Sequence, residues 1–147
     1  MPEQFRSLRE RQVLVDSSAY LALLDADDRH HQEAVAIARQ LAQERYRQLT
    51  TNVLLIGAHA LILSTLGIAQ AVRFLQTMER GATDVVRVRA SDEALAKALL
   101  ARYSDKDFSF ADAISFVVME RLGISSAFTF DRHFTQYGWR VWTPARA

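Results

Sequence analysis

The sequence of 147 residues contains no cysteine, only two prolines and, among its 18 basic residues, only two lysines. Because cysteine is absent, disulfide bonds and thiolate metal sites are excluded, and a reducing compartment is compatible with the composition. The formal net charge of +1 gives no strong global field. The many arginines suit bidentate contacts to phosphate, although a compositional bias is the more economical explanation.

The chain also lacks a long apolar run and a leader segment. Its longest apolar stretch, residues 53–63, includes His59 and is too short to cross a bilayer, and its first six residues lack the apolar core of a signal peptide. We therefore expect a soluble, cytoplasmic protein that does not enter a membrane. We also expect one domain over residues 1–147, in which the polar, arginine-rich residues 1–12 form a loose N-terminal extension.

Short apolar, β-branched segments alternate with amphipathic segments along the chain. Strands are predicted at 13–15, 48–51, 84–89, 127–130 and 140–143, and helices at 19–24, 30–46, 52–66, 68–79, 91–103 and 110–122. This alternation predicts an α/β sandwich around a mostly parallel sheet, with residues 84–89 near an edge. Asn52 is expected to cap the third of these helices, which Gly67 ends.

Three aspartates lie where predicted elements begin or end. Asp16 and Asp131 follow predicted strands, and Asp112 lies in the first turn of the last predicted helix. Because α/β proteins gather ligand-binding side chains at the carboxyl edge of the sheet, the three are expected to converge. Each alone has a structural explanation, as a cap or as a charge favoured by the helix dipole. Three aspartates at related positions of the predicted fold favour a shared binding site.

Converging carboxylates indicate a site for a hard divalent cation. Three such groups repel one another, and a cation such as Mg²⁺ or Mn²⁺, which prefers oxygen ligands, relieves that repulsion. The sequence has neither a Walker nor a Rossmann glycine motif, so a nucleotide cofactor is not expected. The reaction class that follows is metal-assisted hydrolysis of a phosphodiester.

Three segments around the aspartates resemble PIN-domain ribonucleases, most closely the VapC-like toxins of bacterial toxin–antitoxin pairs. The segments are VLVDSSA at residues 13–19, DFSFADAISF at residues 107–116 and AFTFDRHF at residues 127–134. The order and spacing of elements agree with this family over about residues 13–143. The resemblance implies a PIN-like three-layer sandwich, with a central, mostly parallel sheet flanked by helices, and cleavage of RNA that depends on Mg²⁺ or Mn²⁺.

The resemblance also implies roles for single residues and for partners. By motif, Asp16, Asp112 and Asp131 match the catalytic, metal-binding acids of the family. Ser17 and Thr129 match small hydroxyl residues that would hydrogen-bond the carboxylates or the waters of the metal. Because family members commonly form homodimers and are inhibited by a cognate antitoxin, a second copy and an antitoxin are the expected partners.

One position departs from the family pattern. The family has a further glutamate in the helix after the second strand, where this chain has Gly57 or its neighbour Ile56, and no acid occurs between Glu44 and Glu79. Three explanations stay open: His59 approaches the site instead, although it points to a different face of the helix; the protein is a weakened member; or cloning selected against an active toxin. The alternative function is therefore a catalytically weakened, PIN-like module that binds RNA or another protein.

Several other residues have more than one interpretation. Arg132 and His133 are candidates for contacts to substrate, with an ion pair and a structural role as their respective alternatives. Apolar stripes over residues 53–66 and 68–79 could form a dimer face, an antitoxin groove or simply core. Five aromatic residues near the C terminus are expected to pack in the core rather than to stack on bases: Phe128, Phe130, Phe134, Trp139 and Trp142.

Overall fold

The computed structural model describes residues 11–144, which build one five-stranded sheet flanked by helices. The strands are β1 (Gln12–Val15), β2 (Arg47–Thr51), β3 (Asp84–Val86), β4 (Ser126–Phe128) and β5 (Arg140–Val141). The helices are α1 (Ser17–Leu24), α2 (His31–Gln43), α3 (Asn52–Leu66), α4 (Ile68–Arg80), α5 (Ala90–Arg102), α6 (Phe110–Leu122) and α7 (Arg132–Tyr137). The predicted loose extension lies outside these residues, apart from Arg11 and from Gln12, which opens β1.

All neighbouring strands are parallel, in the order β3-β2-β1-β4-β5. This arrangement confirms the predicted α/β class and places β3 at an edge, as its alternating sequence indicated. The central strand β1 pairs with β4 on one side, so that Val15 is opposite Phe128. Because both strands run in the same direction, the residues that follow them meet at the same edge of the sheet.

Side chains of β1 alternate between two apolar cores, one on each face of the sheet. Leu14 packs in a core with residues of α5, α6 and α7, whereas Val13 and Val15 pack in a second core with residues of α1, α2 and α4. Helix α3 contributes to both cores. All three β1 side chains are at most 1% exposed. These two cores on either side of the sheet confirm the three-layer sandwich.

The aromatic residues near the C terminus pack as the sequence predicted. Phe128 and Phe134 are almost fully buried, in opposite cores, and Trp139 and Trp142 pack partly buried against these cores. Phe130 lies beside Phe128, with ring centroids 6.1 Å apart. Within residues 11–144, none of the helices combines the length and the hydrophobicity that crossing a membrane would require.

The strands predicted at 84–89 and 127–130 end earlier, at Val86 and Phe128, and two further details of the predicted elements are wrong. The predicted elements do not include α7, a six-residue helix that Asp131 caps and that Gly138 ends in the left-handed region at φ 117°. A helix of under two turns is too short to produce a recognisable apolar period. The cap of α3 is also shifted: Thr51 accepts a hydrogen bond from the Leu54 N–H, while the Asn52 side chain accepts one from the N–H of Val88.

Candidate active site

The carboxyl ends of β1 and β4 place Asp16 and Thr129 side by side. Each is the first residue beyond its strand, and the Asp16 N–H continues the ladder by donating to the Phe128 carbonyl at 3.0 Å. Asp16 is also the N-cap residue of α1, so its backbone stays extended while the chain turns into the helix. Its side chain is buried but belongs to neither apolar core.

Two hydroxyl groups hold the Asp16 carboxylate. Its Oδ2 accepts hydrogen bonds from Ser18 at 2.7 Å and from Thr129 at 2.8 Å. Burial raises the pKa of Asp16 above its usual value, because it disfavours the charged form, and the charge of Asp131 adds to that rise, while the two hydroxyl donors oppose it. The site therefore holds a carboxylate whose negative charge is only partly compensated by the protein.

The predicted contact of the Ser17 hydroxyl is not made to a carboxylate. Ser17 donates instead to the backbone carbonyl of Leu54 in α3, at 2.9 Å, and Ser18 takes the expected place beside Asp16. Successive helical residues are rotated by about 100°, so two adjacent serines at a helix start must face different neighbours. The pair of serines after Asp16 was the available signal for this hydrogen bond, which Ser18 makes, and a contact of Ser17 to a water of the metal stays a prediction.

Asp112 is fixed in the first turn of α6 by a reciprocal capping box. The Ser109 hydroxyl accepts from the Asp112 N–H, and Asp112 Oδ2 accepts from the Ser109 N–H, both at 3.0 Å. Asp112 is therefore a helix-start residue, as its structural explanation predicted. The capping box also orients its carboxylate toward the site. Burial raises the pKa of Asp112, and the nearby charge of Asp131 contributes to the rise.

Asp131 and His133 complete the cluster from the start of α7. Asp131 Oδ1 accepts from the His133 N–H at 2.9 Å, and the His133 ring places Nδ1 3.1 Å from the same oxygen. The same Nδ1 lies 2.8 Å from Asp112 Oδ2. One donor atom from each of these three residues lies within 4.8 Å of the others, which is close enough to hold a metal ion.

Asp16 adjoins this group without being part of it. Among the described residues, the close group consists of Asp112, Asp131 and His133, and Asp16 is linked to it through Thr129. The Thr129 hydroxyl donates to Asp16 and accepts from the Asp131 N–H at 2.9 Å. The structure thus brings together the sequence elements that carry the three predicted acids, and it adds the imidazole of His133, for which a contact to substrate and a structural role were both open.

Two candidate positions remain: Arg132, and the position of the missing glutamate at Gly57 or Ile56. Arg132 is exposed at the first residue of α7 and, within residues 11–144, forms no ion pair, so the alternative of pairing with an aspartate is not seen. Ile56 is 68% exposed, whereas a Cβ added at Gly57 would lie 3.2 Å from the hydroxyl of Ser17. Position 57 is therefore the one that faces α1 next to Asp16.

Comparisons with known proteins agree with this arrangement. The family model of the PIN domain matches residues 13–140. The 23S rRNA-specific endonuclease VapC20 of two Mycobacterium tuberculosis strains, CDC 1551 / Oshkosh and ATCC 25618 / H37Rv, is 33% identical over 130 residues, which cover 86% of this chain and 94% of VapC20. A crystal structure of M. tuberculosis VapC20, described as a sarcin-ricin loop cleaving toxin, matches with a TM-score of 0.81 and 30% identity over 90% of this chain and 99% of that one. The chain therefore belongs to the PIN domain family and is a homologue of VapC-type toxin endonucleases.

Proposed function

We propose that this protein is a toxin endoribonuclease whose divalent cation, Mg²⁺ or Mn²⁺, is held by Asp16, Asp112 and Asp131. The observation that carries the proposal is the meeting of Asp112, Asp131 and His133 within 4.8 Å, with Asp16 attached through Thr129. Two of these acids have raised pKa values because they are buried, so a cation would relieve a charge that the protein compensates only in part.

The donor set fits a hard divalent cation, since it consists mainly of carboxylate oxygens. When bound, such a cation activates water and stabilises the charge of a phosphodiester. The protein's own residues then orient the site: Ser18 and Thr129 fix one carboxylate, and the capping box with Ser109 fixes another. Arg132, exposed beside the site, is the proposed contact to an RNA phosphate.

The proposed partners are RNA, a cognate antitoxin and a second copy of the chain. VapC20 is named for its action on 23S rRNA, so this RNA is the first substrate to test with the present protein. The apolar stripes of α3 and α4 are only partly used by the core: Ile56, Leu63, Ile68 and Val72 are 68%, 41%, 73% and 47% exposed. Exposed apolar side chains in this number support a protein partner on these helices.

The direct test is RNA cleavage by the full chain in Mn²⁺ or Mg²⁺, compared with EDTA and with the Asp16→Asn variant. Asp105→Asn is the matched control, because it makes the same chemical change at an exposed loop residue. Loss of cleavage in EDTA and in Asp16→Asn, with cleavage retained in Asp105→Asn, supports the enzyme. RNA binding that is independent of metal and not followed by cleavage supports the weakened module that Gly57 suggests.

A further inference from the structure

His133 presents one ring nitrogen to two acids at once. Its Nδ1 lies 2.8 Å from Asp112 Oδ2 and 3.1 Å from Asp131 Oδ1. The side chain is 17% exposed, and its ring packs edge-on against Phe108 with centroids 5.6 Å apart. Because the ring is mostly buried and packs against Phe108, the surrounding fold holds Nδ1 toward the two carboxylates.

These separations match those between neighbouring ligands of one ion. In an octahedral site with metal–ligand distances of about 2.1 Å, adjacent donor atoms are about 3 Å apart. Both distances from Nδ1 to a carboxylate oxygen have this length. The nitrogen and the two oxygens therefore already have the spacing of neighbouring ligands around one cation.

We propose that His133 is itself a metal ligand, so that its imidazole joins the three carboxylates of the proposed site, with Asp112 and Asp131 nearest to it. This inference rests on the proposed metal-dependent function and specifies its cofactor. Imidazole nitrogen is a favoured ligand of transition metals, whereas Mg²⁺ is bound mainly through oxygen. The site therefore selects Mn²⁺ or a similar transition metal over Mg²⁺.

The chain's lack of a carboxylate at position 57 strengthens this assignment. Gly57 faces Ser17 beside Asp16 and supplies no donor atom, and the close group of ligand atoms contains no residue of α3 among the described residues. His59, the histidine suggested by the sequence as a replacement for the missing glutamate, is on α3 and outside that group. Among the described residues, the close group thus takes its nitrogen donor from α7 and none of its donor atoms from α3.

The test measures the nitrogen ligand directly. Mn²⁺ is bound to the full-length, metal-free wild type, and pulsed electron paramagnetic resonance detects coupling to nitrogen, which histidine labelled with ¹⁵N assigns to imidazole. We expect this coupling in the wild type and in His59→Gln, and its loss in His133→Gln. Titration calorimetry should show Mn²⁺ affinity reduced about tenfold or more in His133→Gln, with a smaller change for Mg²⁺.

A wild-type Mn²⁺ complex without histidine nitrogen coupling overturns the proposal, and this measurement needs no variant to fold. An unchanged ratio of Mn²⁺ to Mg²⁺ affinity in His133→Gln, shown by thermal unfolding in EDTA to be folded, overturns it as well. In either case, RNA cleavage that still requires a divalent cation leaves the proposed function standing. Cleavage that needs no cation overturns the metal-dependent function itself.

Discussion

The hydroxyl of Thr129 donates a hydrogen bond to Oδ2 of Asp16 at 2.8 Å, and the Thr129 hydroxyl oxygen accepts a hydrogen bond from the N–H of Asp131 at 2.9 Å. One side chain therefore fixes both the orientation of one acid and the backbone that carries another. Only a hydroxyl can donate and accept at once in so small a space. Thr129 is 2% exposed, so water does not easily replace either contact.

We expect Thr129→Val, which keeps the shape but removes the hydroxyl, to weaken both folding and cleavage. The free energy of unfolding should fall by about 1–3 kcal/mol, because a buried carboxylate loses one of its two hydroxyl donors and a backbone N–H loses its acceptor. Divalent-dependent RNA cleavage should also fall, while Thr129→Ser should retain most of both properties. Urea unfolding and a cleavage assay provide the measurement, and equal behaviour of the valine and serine variants contradicts the prediction.

Restoring an acid at position 57 should raise divalent-dependent cleavage and growth toxicity in Gly57→Glu. The reason is that hard cations bind more tightly as carboxylate ligands are added, and position 57 faces the Ser17–Asp16 turn. Replacing glycine in a helix interior also stabilises the helix by about 1 kcal/mol. The new Cβ lies 3.2 Å from the Ser17 hydroxyl, so that hydroxyl must shift by a few tenths of an ångström.

Gly57→Gln separates the charge from these steric and helical effects, since it adds the same side chain without the carboxylate. Cleavage, Mn²⁺ affinity and toxicity should rise in the glutamate variant beyond the glutamine variant. If the two variants are equal in all three, the missing acid does not limit the activity of this protein.

The elements that position the acids could be predicted because each has a strong local signal. Val13–Val15 is short, apolar and β-branched, and the helix at 110–122 has a serine cap, a first-turn aspartate and a terminal glycine, Gly123, in the left-handed region. Parallel strands then place their carboxyl ends together as a matter of topology. This topology accounts for the meeting of the regions around Asp16 and Asp131, whereas Asp112 lies on α6, which follows α5 rather than a strand.

The finer composition of the site depends on tertiary distances that no local pattern encodes. His133 contacts both Asp112 and Asp131 only because the start of α7 packs next to the start of α6, 21 residues earlier in the chain. Ser18 rather than Ser17 reaches Asp16 because of one step of helical rotation. The separation of Asp16 from the close group of ligand atoms is likewise a matter of a few ångströms, which spacing in the sequence cannot resolve.

Asp16→Asn should make the metal-free protein more stable at neutral pH, although it should abolish cleavage. Burial raises the pKa of Asp16 in the folded protein above 3.8, its value in the unfolded chain. Such a group stabilises the folded state fully at pH values below its unfolded-state pKa. This stabilisation is lost as pH rises through the folded-state pKa. The advantage of the variant should therefore shrink as pH falls. Thermal unfolding in EDTA between about pH 4 and pH 8 measures this; a more stable wild type at the upper end contradicts it.

Asp92→Asn should show the opposite dependence on pH, at a carboxylate outside the close group of site residues. Asp92 is 1% exposed and accepts two hydrogen bonds from Arg121, at 2.9 and 2.8 Å. Although burial alone would raise the pKa of Asp92, hydrogen bonds from Arg121 and from the Arg89 N–H hold it below 3.8. The pair therefore contributes stability above that value, which is lost as pH falls through the folded-state pKa.

At neutral pH the asparagine variant should lose about 1.5–3 kcal/mol of unfolding free energy, because the Arg121 guanidinium keeps its charge without a carboxylate partner. The difference from the wild type should narrow in acid, where the wild-type carboxyl is protonated, and RNA cleavage under conditions that keep both proteins folded should be unchanged. Urea unfolding at neutral and acidic pH provides the comparison. A stability difference that grows in acid would show that the ion pair is not what stabilises the contact between α5 and α6.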